Sequence, residues 1–165
     1  MQNKGFKYPD NAAYNYVINY LTEKGVTIGD IADIAYSYEK DYVDGLTRGK
    51  AVSAVMSVLH KRDVANAAMV GFNLDKLATA GKLDQPLQDI VENDAGVFGI
   101  DELLATGIAT LYGNIGSTNF GYADKDKTGI IKELDTEKGR VNTFVDDIVG
   151  AIAAAAAAKI THDNA

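Results

Sequence analysis

Two pairs of neighbouring acids stand out in this chain, Asp101-Glu102 and Asp146-Asp147, each placed just ahead of a strongly apolar run. Near a helix N-terminus a carboxylate gains from the helix dipole and needs no other reason to be there. The second pair, however, leads into VGAIAAAAAAKI, which leaves almost no polar face before Lys159. A helix that is apolar all round is a buried one. Adjacent side chains on a helix point about 100° apart, so both aspartates cannot turn to water from a central helix. A buried carboxylate without a partner is costly unless a cation compensates it. If the two helices pack together, four carboxylates converge, and an all-oxygen set suits Mg²⁺ or Mn²⁺ rather than zinc.

Other chemistry is scarce. There is no cysteine, hence no disulfide, thiolate nucleophile or sulfur-ligated zinc. The two histidines read as solvated (His60) or as part of a frayed tail (His162), and no Ser/His/Asp set is arguable, so any hydrolysis would be metal-assisted. Asp124-Lys-Asp126-Lys-Thr128 matches the DxDxT pattern of haloacid-dehalogenase-type phosphatases. That motif must follow a buried strand, and here the polar, glycine-rich GNIGSTNFGYA precedes it. Gly113, Gly116, Gly121 and Gly129 do not have the spacing of a phosphate-binding loop.

The elements that must position the acids read as helices throughout. Asp10 is expected to cap a helix with Ala13, Val17, Tyr20 and Leu21 on one face, stopped by Gly25. Thr27 and Asp30 open a second, with the spacing of a capping box. A third carries Val52, Val55, Met56 and Leu59, and Asp63 is expected to cap a fourth with Val64, Ala68, Phe72, Leu74 and Leu77. Pro86 suits the first turn of a short fifth. GIDELLATGIATLY follows, then GNIGSTNFGYA read as a loop, a short helix around GIIKELD, and the alanine helix at the centre. No segment alternates in the manner of a strand. The expected fold is all-α, a single-domain helical bundle over residues 1–165 with the Ala-rich C-terminal helix surrounded by the others.

Composition bounds the function. At 165 residues the chain is one ordinary domain, and its net charge of −7 argues against nucleic acid and against electrostatic docking on anionic lipid. The N-terminus lacks the apolar run of a signal peptide, and no stretch approaches a membrane span, so a cytoplasmic location is expected.

Taken together, Ile100-Asp101-Glu102, then Phe120 to Asp124 with Lys127, then Asp135, then Asp146-Asp147-Ile148-Val149-Gly150-Ala151 resemble phosphatidylglycerophosphatase A. YGNIGSTNFGY and KGRVNTFVDDIVGAIAAAAA look like the soluble Gram-positive branch of that family, with the low-temperature-requirement C proteins. The resemblance departs at Gly121, where membrane-bound members carry Arg, and at Thr128, where they carry Pro. It implies a Mg²⁺-dependent phosphatase that converts phosphatidylglycerophosphate to phosphatidylglycerol. On that reading Asp101, Glu102, Asp146 and Asp147 hold Mg²⁺ (or Mn²⁺). Asp124 ligates or orients the attacking water, and Lys127 steadies a phosphate oxygen. The partner is then a phosphorylated small molecule or a lipid head group, reached by peripheral membrane contact, with a homo-oligomer left open. Two alternatives stand beside it: a non-catalytic helical protein retaining the acidic site, and a metal-dependent hydrolase of soluble phosphate esters or nucleotides.

Overall fold

The computed structural model describes residues 5–165. Among them the regular elements are all helical: α1 (Asp10–Glu23), α2 (Ile28–Glu39), α3 (Arg48–Leu59), α4 (Arg62–Thr79), α5 (Leu87–Glu92), α6 (Ile100–Ala109), α7 (Asn114–Lys125), α8 (Gly129–Thr136) and α9 (Val145–Asp163), with a 3₁₀ turn over Thr110–Tyr112.

α9 is the axis of the molecule. Every residue from Val145 to Ala158 is buried, and helices α2, α3, α4, α6, α7 and α8 all pack on it. Its alanines make this possible, because a methyl side chain lets neighbours approach from every side at no cost in helix propensity. The neighbours answer with small residues of their own. A Cβ on Gly71 of α4 would lie 2.6 Å from the Ile148 side chain, and one on Gly116 of α7 would lie 1.9 Å from the Ala109 carbonyl oxygen. α3 turns Ala51 and Ala54 inward beside Val55, Val58 and Leu59, which rotates its buried stripe and leaves Met56 exposed.

Several local readings change. GNIGSTNFGYA is a helix and not a loop: Gly116, Phe120 and Ala123 form the buried stripe of α7. Its Gly, Ser, Thr and Asn content is poor for an isolated helix, and packing against α9 overrides that preference. Asp10 lies in the first turn of α1, with Pro9 at the cap position, and pairs with Arg62. Asp63 likewise lies one residue inside α4. Pro86 takes the cap position of α5 rather than its first turn. The Thr27–Asp30 capping box forms as expected. His162 belongs to the last turn of α9, its Nε2 2.8 Å from the Tyr112 carbonyl, and His60 stacks on Tyr14.

Candidate metal centre

Both acidic pairs occupy first turns, Asp101-Glu102 of α6 and Asp146-Asp147 of α9, and the packing of α6 on α9 brings these two helix starts together. Asp101, Glu102 and Asp147 each offer a carboxylate oxygen within 4.8 Å of the other two. Asp101 and Asp147 are only 5% exposed. Asp101 Oδ1 and Glu102 Oε2 are buried without a hydrogen-bond partner. Orphaned acceptors of this kind are rare in folded proteins, and each carries a desolvation cost. A divalent cation would satisfy them, and the all-oxygen donor set fits Mg²⁺ or Mn²⁺.

The fourth acid goes elsewhere. Asp146 Oδ2 accepts a hydrogen bond from Lys127 Nζ at 2.7 Å, and its Oδ1 accepts the Asp147 amide at 2.9 Å. Lys127 also donates to Asp135 Oδ1 at 2.6 Å. The structure thus gathers three carboxylates and places the Lys127–Asp146–Asp135 ion-pair group beside them. Asp124, exposed near the end of α7, is among the charges acting on Asp147. Gly121 has nothing within 4 Å of where a Cβ would sit, so that position opens on free space.

Burial sets the electrostatics. Desolvation, with Asp146 and Asp124 nearby, pushes Asp147 up to about 8. Desolvation and the adjoining Glu102 carboxyl raise Asp101 to about 7. Asp146, equally buried, rises only to about 6 because Lys127 opposes the desolvation. Desolvation works against the Lys127 ammonium, but its hydrogen bonds to Asp135 and Asp146 outweigh that and raise its pKa, so it stays charged. Desolvation and mutual repulsion thus hold the Asp101 and Asp147 carboxyls protonated to near neutral pH, and a divalent cation would favour their ionised forms.

One structural acid escapes sequence reasoning. Asp75 of α4 is fully buried and accepts the Phe144 amide at 3.1 Å and the Val145 amide at 2.9 Å, so it caps α9 from a neighbouring helix. Desolvation raises it to about 8 against those two bonds. Its signal is a carboxylate on the inward stripe of α4, between Phe72 and Ala78. The segment it anchors is tethered elsewhere too: Thr143 Oγ1 donates to the Val91 carbonyl and Asn142 Nδ2 to the Leu134 carbonyl. The two aspartates are therefore delivered by a fixed helix start rather than a free loop.

An all-helical bundle whose central helix brings paired acids to a buried oxygen-donor centre defines the class. Within it, residues 18–162 match the phosphatidylglycerophosphatase A family, to which the chain belongs. It is 44% identical to the uncharacterized protein YpjQ of Bacillus subtilis over 96% of this chain and 89% of that one. It is 46% identical to YutG of the same organism, over 86% of each. Among solved structures, a Bacillus stearothermophilus protein of unknown function superposes with a TM-score of 0.90 at 44% identity, covering 99% of this chain and 100% of the other. The low temperature requirement C protein of Listeria monocytogenes gives 0.89 at 46% identity, covering 92% and 96%.

Proposed function

We propose that this protein is a Mg²⁺-dependent phosphatase acting on a phosphate monoester, with phosphatidylglycerophosphate as the substrate that family membership favours. The observation carrying this reading is the trio Asp101, Glu102 and Asp147, its two aspartates buried and Glu102 half-buried, with two orphaned oxygens, standing beside a charged lysine. The trio would hold Mg²⁺ or Mn²⁺. Such an ion polarises a phosphoryl group and lowers the pKa of water. Lys127 gives two of its three donors to Asp135 and Asp146, and the third is available to a phosphate oxygen. Asp124, an exposed acid whose charge acts on Asp147, would orient the attacking water. Asp146 keeps Lys127 pointed inward and serves the site through that lysine.

A lipid substrate requires the protein to come to a bilayer, and no helix among the described residues is long and apolar enough to cross one. Contact would be peripheral. Ile100 and Leu103 share a face of α6 and are 42% and 65% exposed, with Val97 98% exposed just before them. They adjoin Asp101-Glu102. Residues 103–123 contain no charged side chain at all. The exposed apolar side chains Val97, Ile100 and Leu103 could therefore approach an anionic surface without adding to the repulsion of a net charge of −7.

Calorimetric titration of metal-free protein with Mn²⁺ and Mg²⁺ tests the centre. The wild type is expected to bind and Asp147→Asn to lose binding; equal binding by both would sink the assignment. Gly121, where membrane-bound members of the family carry a phosphate-clamping Arg, favours a second reading, a non-catalytic protein that keeps the metal site. It predicts metal binding without turnover of phosphatidylglycerophosphate or of a soluble phosphate ester.

A further inference from the structure

α5 ends in a pattern whose last position is usually glycine. The Ala95 amide donates to the Ile90 carbonyl and the Asp94 amide to the Val91 carbonyl, the paired bonds of a Schellman motif. The residue after the cap then takes a left-handed conformation, where a side chain is disfavoured and glycine is the usual occupant. Here that residue is Asp94, at φ 45°, while every other described residue with positive φ is a glycine. The chain puts Gly at helix ends elsewhere, at Gly25 and Gly81, and Asp, though among the few side chains that tolerate this conformation, takes it at a higher cost than glycine.

The surroundings supply a reason. The charges acting on Asp94 are Lys127, Asp135, Glu102 and Asp124, all of them groups of the candidate centre. Asp94 shares a small cavity of about 140 Å³ with Asp135, Asp146 and Thr143, and acts in turn on Asp101. It therefore lines the same cavity as Asp135 and Asp146 and lies within electrostatic reach of Lys127, Glu102 and Asp101. It also begins the 94–99 turn that delivers Asp101-Glu102.

We infer that Asp94 is a working carboxylate of the centre, kept in an unfavourable backbone conformation because its charge helps the site take up a divalent cation. It acts from outside the trio, as an outer carboxylate that draws the ion in and offsets Lys127. Loss of such an outer partner typically weakens metal affinity about 10- to 100-fold. This inference rests on the metal-centre reading above.

The test is Asp94→Gly in the full chain, read by Mn²⁺ titration and by the thermal midpoint of metal-free protein. Glycine relieves the backbone, so the metal-free midpoint should equal or exceed that of the wild type, while Mn²⁺ affinity falls about 10-fold or more. Asp94→Asn, which tolerates the same backbone but lacks the charge, should weaken Mn²⁺ binding as well. A lower metal-free midpoint in Asp94→Gly would assign Asp94 a structural task and overturn the inference, as would Mn²⁺ binding at wild-type strength in either variant. A wild type that binds no Mn²⁺ would remove the metal centre itself, and this inference with it.

Discussion

A carboxylate taken out of water gives up its proton late; burial does this to Asp94 and, most strongly, to Asp147 and Asp75 near 8, Asp101 near 7 and Asp146 near 6. Each has a folded value above the 3.8 of an ordinary aspartate. Between those values the folded chain holds protons that the unfolded chain has lost, so stability falls as pH rises. The contribution is complete below about 4 and is lost as pH passes through about 6 to 8. Ion-paired acids such as Asp10 and Asp33, whose pKa values are lowered, titrate below this window and leave it undisturbed. The metal-free protein should accordingly melt at lower temperature at about pH 8 than at about pH 5. Saturating Mg²⁺ should oppose that loss, since the cation binds the ionised carboxylates. Asp147→Asn, a neutral isostere, should raise the metal-free midpoint at the alkaline end and flatten the slope. Thermal melts across about pH 5 to 8, with and without Mg²⁺, measure this; a metal-free midpoint that climbed over that range would contradict the assignment.

At the scale of the helix, the start of α9 decides whether Asp146 and Asp147 arrive in register. Asp75→Ala strands two buried amides, at Phe144 and Val145, each worth about 1–3 kcal/mol when unsatisfied. The variant should lose about 2 kcal/mol or more in denaturant unfolding, and those two amides should exchange faster with solvent. Gly116→Ala tests the tight seat of α7. Alanine gains about 1 kcal/mol of helix propensity, yet its Cβ would lie 1.9 Å from a backbone oxygen that cannot swing aside. Overpacking should win, with a net loss of about 1–3 kcal/mol by the same measurement. These two residues also mark where the sequence stops being readable. The central place of α9 is legible, because Val145, Ile148, Val149, Ile152 and the alanine run leave no face for water. Asp101, Glu102 and Asp147 are legible as an acidic set for the same reason. α7 is not, because its helicity comes from the neighbours that seat Gly116 rather than from its own residues. Nor is the turning of Asp146 toward Lys127, since adjacent residues on a helix face different ways and only the packing of α8 and α9 says what each one meets. Asp75 carries a signal, a charge on an inward stripe, but nothing local reveals that its partners lie 69 and 70 residues further along the chain.

For the molecule as a whole, the acidic trio sits at one end of the central helix, and the uncharged 103–123 segment of α6 and α7 runs between Glu102 and Asp124 in the chain. If the substrate is a phospholipid, its head group must reach the trio while its acyl chains stay in the bilayer, and Val97, Ile100 and Leu103 are the exposed apolar side chains next to the acids. A charge placed there should interfere with lipid and not with the reaction itself. Val97→Asp combined with Leu103→Asp replaces two exposed side chains and buries nothing, so folding should be unaffected. Turnover of phosphatidylglycerophosphate in vesicles should fall at least about 10-fold, a loss of about 1.4 kcal/mol in effective binding. Turnover of a short-chain or soluble phosphate ester by the same variant should stay near that of the wild type. Equal losses on both substrates would mean that the substitutions damaged the centre. No loss on either, with the wild type active on the soluble ester, would point to a hydrolase of soluble phosphate esters that never needs the membrane.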